Sequence, residues 1–266
     1  MAERILNRID ARFANQNRER GHGSRETMMQ PGKQPSQTEF EVLTNEIAAM
    51  GPELGKLYHA ISRDVTWLHW RWNEYRALFG EKPSRIDLMN ESAPFIFQVL
   101  HDALFEQTLL GIARLVGPAK SAGNHVLSIE RFIALIADDS LRTEITALVE
   151  DARTTADFAM QWRHRQIAHR DLVLALQDVA PDATSISPLP IATREKVEAA
   201  LSALGAVIGK IELAYCKSST HYASSPWGAK TLLTLIRGGL LREEEKHDCR
   251  NRLERHADDI NPLPAI

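Results

Sequence analysis

Apolar residues recur at helical spacing through residues 140–176, a stretch that contains neither Gly nor Pro. At about 100° of rotation per residue, one face collects an apolar stripe made of Leu141, Ile145, Leu148, Val149, Ala152, Ala156 and Ala159. Arg163 falls in the middle of that stripe, with Ile167 beside it, whereas His169 points about 120° away, on the side of Trp162 and Phe158. The pattern predicts one long helix, from about Ser140 to Leu176, that carries a guanidinium on its packing face.

Capping residues and breakers predict three further long helices. The first runs from Pro52 to Phe79 after a break at Gly51-Pro52, the second is capped by Ser92 and runs to about Val116, and the third is capped by Thr193 and runs to Cys216. Residues 80–91 and 119–126 are predicted loops. Shorter helices are expected over Thr38–Met50, Ser128–Ala137 and Trp227–Ile236, the last closed by Gly238-Gly239, with a charged terminal helix over Arg242–Arg255.

No strand-like alternation of useful length accompanies these helices. The predicted fold class is therefore all-α, with an up-and-down four-helix bundle core and additional C-terminal helices. Residues 1–37, which carry seven basic and four acidic side chains, are predicted to be a disordered extension, of which residues 1–27 are expected to be dispensable. The bundle is expected over residues 38–240, with a breaker-rich linker near 178–191, and a charged helix and tail over 241–266.

Composition excludes several classes of function. The 32 basic and 35 acidic residues give a net charge of −3, so any contact with nucleic acid must be local. The two cysteines, Cys216 and Cys249, have neither metal-ligand nor disulfide-framework spacing, which favours a reducing, cytoplasmic location. We find no metal-binding, phosphate-binding or catalytic-triad motif and no membrane-length apolar run, so neither a cofactor, a metal nor a membrane is predicted.

The aromatic residues near the end of the Pro52–Phe79 helix, namely Trp67, Trp70, Trp72 and Tyr75, are interpreted as core. His69 is interpreted as a core histidine rather than a site residue.

Arg163 and His169 need a different explanation, because an unpaired charge on a packing face is costly. Arg binds phosphate oxygens and His transfers protons near neutral pH, a pair suited to a phosphodiester. The alternative is that these cations stabilise a helix C-terminus and that Arg163 has an internal salt bridge.

Arg163, five intervening residues and His169 resemble the R-x(4–6)-H signature of HEPN domains. The order of further segments is similar to the abortive-infection AbiU-type branch of that superfamily: Leu68-His69-Trp70-Arg71-Trp72, Ser92-Ala93-Pro94-Phe95, Ala113-Arg114-Leu115-Val116-Gly117-Pro118, Leu127-Ser128-Ile129-Glu130-Arg131 and Ile167-Ala168-His169-Arg170-Asp171. The likeness covers roughly residues 38–240. Two positions differ from the family pattern: Gly117 replaces an acidic residue and His164 replaces an Asn.

The resemblance implies a metal-independent endoribonuclease in phage defence by abortive infection, or a toxin of a toxin–antitoxin pair. Its partners would be an RNA substrate, a second copy in a homodimer and a possible antitoxin or other neutralising protein. Arg163 and His169 would be catalytic, with support or substrate contacts from His164, Arg165, Arg170, Asp171 and Arg114. A salt bridge within the bundle is an equal alternative for Arg114. A second hypothesis, favoured by Gly117 and His164, is an inactive bundle that binds RNA or a nucleotide or serves as a dimeric scaffold.

Overall fold

The computed structural model describes residues 38–121, 123–168, 172, 188–220, 222 and 227–259, with side chains of the last helix as far as Asn251. Its α-helices are α1 Glu39–Met50, α2 Pro52–Tyr75, α3 Pro83–Ser92, α4 Pro94–Val116, α5 Arg131–Leu135, α6 Asp139–Thr155, α7 Asp157–Trp162, α8 Arg194–Cys216 and α9 Trp227–Asp259. Two π-helical turns, π1 Arg76–Gly80 and π2 Arg163–Ile167, follow α2 and α7. A two-residue hairpin pairs β1 Lys120–Ser121 with β2 Asn124–His125.

Four helical segments, α2, α4, α6–α7 and α8, pack in a ring, and neighbours run antiparallel. Near one end of the bundle α2 meets α4 through Tyr75 and His101, and near the other end through Asp64 and Arg114. Large side chains that are fully buried fill the centre, among them Ile61, Ile112, Ile145, Leu204 and Ile208. This arrangement confirms the predicted all-α bundle.

Close helix contacts depend on small residues at particular points. Gly51 has φ of 84°, which ends α1 and lets Pro52 begin α2. A Cβ atom on Gly55 would stand 2.7 Å from the Cα atom of Ile47, so only glycine allows α1 and α2 to approach at this point. The break predicted at Gly51-Pro52 is confirmed, as is the Thr193 cap of α8, whose hydroxyl accepts from the backbone N–H of Lys196.

The loop predicted over residues 80–91 is wrong, because α3 occupies most of it. Ser92 is the last residue of α3 rather than the cap of α4, and its hydroxyl donates to the carbonyl of Met89. Pro83 begins α3, and Met89 packs in a second apolar cluster with Leu78, Phe97 and Leu233. This packing stabilises a ten-residue helix that the sequence signals only weakly.

A single 33-residue helix, α9, replaces the two predicted C-terminal helices and is the longest of the described helices. It continues through Gly238-Gly239, although each glycine costs about 1 kcal/mol of helix propensity. Its first turn is anchored, since the Glu74 carboxylate accepts from the backbone N–H groups of Gly228 and Ala229. The division between residues 240 and 241 stays a prediction, and residues 1–37 and 260–266 lie outside the described residues.

Among the described helices, α8 alone has the length and apolarity of a membrane-crossing segment. Its buried side chains, including Leu201, Leu204 and Ile208, lie in the centre of the bundle. A core position therefore accounts for this apolarity.

Candidate functional site

The segment that carries the Arg163 motif is not one continuous helix. α6 ends at Thr155, Ala156 adopts a turn conformation with φ of −96° and ψ of 7°, and α7 lasts six residues before π2 begins. The apolar stripe is confirmed as far as Ala159: Ile145, Val149, Ala152, Ala156 and Ala159 are fully buried, and Leu141 and Leu148 are half-buried against the core. The prediction of an uninterrupted helix from Ser140 is wrong, because the turn at Ala156 and the π-helical turn each change the helical phase.

Arg163 is the first residue of π2 and is half-buried. The backbone N–H of Ala168 donates to its carbonyl at 2.8 Å, a hydrogen bond across five residues rather than four. Arg163 thus begins the wider turn, at the edge of the core rather than inside it. Within the described part of the chain its guanidinium has no hydrogen bond or ion pair. The internal salt bridge considered from the sequence is therefore absent among those residues.

Several predicted site residues follow Arg163 directly. His164 is exposed and Arg165 is half-buried. His169, Arg170 and Asp171 lie outside the described residues, so the geometry between Arg163 and His169 remains a prediction.

Arg114 is not brought to Arg163 within one copy of the chain. Its guanidinium pairs with the Asp64 carboxylate at 2.6 Å, so the salt-bridge alternative is present in the structure. α7 packs on α4 at the level of Phe105, nine residues before Arg114, which corresponds to about 13 Å along the helix axis. Burial, together with the nearby Arg114 charge, lowers the pKa of Arg71.

Trp162, the residue that precedes Arg163, is held in place by two contacts. The Trp162 indole N–H donates to the carbonyl of Pro190 at 2.8 Å, and its ring meets Phe105 edge-on at 5.7 Å. The segment before α8 and helix α4 thus each restrain the Trp162 side chain. The backbone entering π2 is thereby fixed at Trp162.

A hydrogen-bonded chain of polar side chains runs near Phe105 and was not predicted. The Tyr75 hydroxyl and Nε2 of His101 are 2.9 Å apart, and Nδ1 of His101 is 2.9 Å from Asp102. Hydrogen bonds from His101 and Gln98 lower the pKa of Asp102, whereas burial raises the pKa of Tyr75. The sequence feature that could have indicated this chain is the pair His101 and Asp102, two polar residues one turn before Phe105 in an otherwise apolar helix.

The prediction that the aromatic residues of α2 lie in the core is correct for Trp72, which is 4% exposed, and wrong for Trp67 and Trp70. Trp67 and Trp70 are 41% and 45% exposed and contact each other edge-on at 5.2 Å. They lie on the outer face of α2, since the helix buries the face that carries Leu68 and Trp72.

The described residues contain no group of three His, Cys, Asp or Glu side chains that could hold a metal ion. The chemistry that the described part of the site offers is a cation with free donors on a half-buried turn, next to an exposed imidazole. Such an arrangement suits an anionic ligand.

A comparison with family models matches residues 51–227 to the HEPN-type family AbiU2. No curated protein and no solved structure matches the chain. The matched range contains the four bundle helices, both π-helical turns and the whole Arg163 motif. The chain therefore belongs to the AbiU2 family of HEPN-type abortive-infection proteins.

Proposed function

We propose that the protein is a metal-independent endoribonuclease that acts in phage defence by abortive infection or as the toxin of a toxin–antitoxin pair. The observation that carries the proposal is the half-buried Arg163, whose guanidinium has no partner in the described chain. A structural arginine on a packing face would be paired, because desolvation of an unpaired charge is costly. Arg163 instead keeps its donors available for a phosphate.

His169 supplies the proton transfer in the proposed reaction. One imidazole removes the proton from a ribose 2′-hydroxyl, and the 2′ oxygen attacks phosphorus as the bond to the 5′ oxygen breaks. The 5′ oxygen takes a proton from the imidazole of the second copy, which leaves a 2′,3′-cyclic phosphate. Arg163 donates to the non-bridging oxygens, where negative charge increases in the transition state.

The reaction needs two imidazoles, and a homodimer supplies them. Phe95, Ile96 and Val99 form an apolar patch on α4, with exposures of 86%, 67% and 66%. They precede Phe105 by six to ten residues, or about 9–15 Å along the helix, in the direction in which π2 continues past Trp162. Exposed apolar clusters of this kind favour association, so we place the two-fold interface at this end of the bundle.

Local charge favours RNA binding at the same place despite the net charge of −3. Arg163, His164 and Arg165 are consecutive, and the RNA would contact this short basic segment rather than a basic face. Cytoplasmic RNA is the proposed substrate, in keeping with the two free cysteines. An antitoxin or other neutralising protein would act by covering this segment.

A second candidate function, an inactive HEPN-type RNA-binding or scaffold protein, is favoured by one specific observation. Arg114, at the position of an Arg that recurs in the family, is engaged with Asp64 rather than directed at a substrate. The departures at Gly117 and His164 point the same way. This candidate predicts RNA binding or dimer formation without cleavage.

The deciding experiment incubates purified protein with a mixed RNA pool in EDTA. His169→Ala and Arg163→Ala are the test variants, and His247→Ala, which removes an exposed imidazole on α9, is the matched control. We expect the wild type and the control to cleave, and the test variants to lose activity by about 10²-fold or more. RNA binding without cleavage by the folded wild type would support the second candidate, and equal cleavage by all four proteins would remove Arg163 and His169 from the site.

A further inference from the structure

A groove of about 750 Å³ lies between α3 and α9. The residues that line it from α9 recur every three or four positions and therefore share one face of the helix: Lys230, Leu233, Arg237, Leu240, Leu241 and Glu244. Leu88 lines the groove from α3. Leu241 is 51% exposed although it is apolar. A groove that combines leucines with charged side chains of both signs has the composition that receives an amphipathic helix.

The terminal half of α9 has no buried residue among those that the structure describes. The first half packs on α2, α3 and π1, with Ala229 and Leu233 buried. Every residue over 241–250 is exposed instead. The helix has 33 residues, which corresponds to a length of about 50 Å. Because a helical segment without tertiary contacts is only marginally stable in water, a partner that packs along α9 would stabilise this half.

Charges on the groove face of α9 lie symmetrically about the two leucines at its centre. Arg237 precedes Leu240 by three residues, and Glu244 follows Leu241 by three residues. Arg237 and Glu244 are about 10 Å apart along the helix, too far to pair with each other. Within the described residues neither has an ion pair, and both side chains are exposed. The face therefore carries a cation and an anion at equal distances from one point.

We propose that this groove binds α9 of a second copy of the chain, with the two helices antiparallel and crossing at Leu240 and Leu241. In that register Arg237 lies opposite the partner's Glu244, and the two-fold axis repeats the pair. A face that carries opposite charges at equal distances from one point complements itself, so a second copy is the matching occupant. Each α9 lies in the other's groove, and the terminal half of one helix gains a partner in the first half of the other.

The contact enlarges the interface of the proposed homodimer, and in this respect the inference rests on the proposed function. Phe95, Ile96 and Val99 flank Phe97, which packs in the same apolar cluster as Leu233 of the groove. The apolar patch and the groove are therefore neighbours, and one two-fold axis serves both. A stable interface uses about 20–30 residues from each partner, many more than the three exposed side chains of the patch. α9 supplies further surface.

The family match does not imply this contact. The range that matches AbiU2 ends at Trp227, the first residue of α9. The role of the helix therefore follows from its own residues and from the groove beside it.

Charge-swap variants of the full chain test the inference in sedimentation experiments over a series of protein concentrations. Arg237→Glu and Glu244→Arg each place like charges opposite each other at two points of the dimer, so each should raise its dissociation constant at least about tenfold. The double variant restores opposite charges and should dimerise within about threefold of the wild type. Glu243→Arg makes the same charge change one residue away, about 100° around the helix, and is the matched control that should dimerise as the wild type does.

Three results would overturn the inference. Single variants that dimerise as the wild type does would leave the groove to another occupant. A double variant no tighter than the single variants would show that Arg237 and Glu244 do not pair. An equal loss of dimer in Glu243→Arg would assign the effect to the charge of the helix as a whole.

RNA cleavage by the same proteins separates this inference from the proposed function. Dimers that respond to the charge swap but leave RNA intact would support the inference and refute the nuclease. Cleavage by a dimer that ignores the charge swap would support the nuclease and refute the inference. A monomeric wild type would contradict the inference and the proposed homodimer together.

Discussion

Replacing either of two half-buried arginines, Arg153 in α6 or Arg163 in π2, by methionine should have opposite effects on stability and on RNA cleavage. Arg153 is 29% exposed and pairs with Glu130 and Glu150, both at 3.0 Å, and its Nε–H donates to the carbonyl of Val116 at 3.3 Å. The mostly exposed Glu150 pair contributes about 0.3–0.5 kcal/mol, the less exposed Glu130 pair up to about 1 kcal/mol, and the carbonyl bond about 0.5–1.5 kcal/mol. Arg153→Met should therefore lower the free energy of unfolding by about 2 kcal/mol.

Arg163→Met removes no described hydrogen bond or ion pair, so its free energy of unfolding should stay within about 0.5 kcal/mol of the wild type. Urea unfolding followed by circular dichroism, at one fixed protein concentration, measures both variants. RNA cleavage should show the reverse order, with Arg153→Met active at temperatures where it is folded and Arg163→Met inactive. If Arg163→Met loses as much stability as Arg153→Met, Arg163 has a structural partner and its functional assignment is refuted.

Two further predictions concern association and pH. Phe95→Asp should convert the proposed dimer to a monomer in light scattering, whereas Leu213→Asp, at a comparably exposed apolar residue on α8, should leave it dimeric; a monomeric wild type would contradict the proposed interface. The backbone N–H of Ala119, followed by the hydrogen bond from Arg153, lowers the pKa of Glu130 in the folded state below its ordinary value of 4.5, so this carboxylate contributes stability that is present above pH 4.5 and is lost as the pH falls further. In Glu130→Gln, the urea midpoint of unfolding should therefore fall less steeply below pH 4.5 than it does in the wild type. If the midpoints of the two proteins fall in parallel, the reasoning is wrong.

The sequence predicts the bundle well because its long helices are set by strong local signals. Gly51-Pro52 and Thr193 begin helices as expected, and five residues of the apolar stripe, Ile145, Val149, Ala152, Ala156 and Ala159, are fully buried. These features depend on neighbouring residues and on a simple period, so they can be found without knowing the tertiary structure.

Elements that depend on tertiary contacts could not be predicted in this way. α3 is stabilised by packing of Met89 against α9, and α9 passes through two glycines with its first turn bound by Glu74, 154 residues earlier in the chain. The stacking of His69 on Tyr222 is a further example, since the two rings meet across a separation that no local pattern reveals. Interpreting His69 as a core residue was reasonable for one helix face, and the unpaired Nε2 became visible only when α8 was in place.

The turn at Ala156 and the two π-helical turns limit what a helical wheel can predict about the candidate site. A wheel assumes a constant 3.6-residue period, whereas a π-helical turn adds a residue and rotates everything after it. π1 and π2 each begin with an arginine, Arg76 and Arg163, and each follows a helix that packs regularly up to that point. Both turns lie near the end of the bundle where α8 begins, Arg76 through Glu198 and Trp162 through Pro190. π-Helical turns are uncommon and occur often at functional sites, because they present a side chain that regular packing would bury. The two π-helical turns therefore support the proposal of a functional site at this end of the bundle.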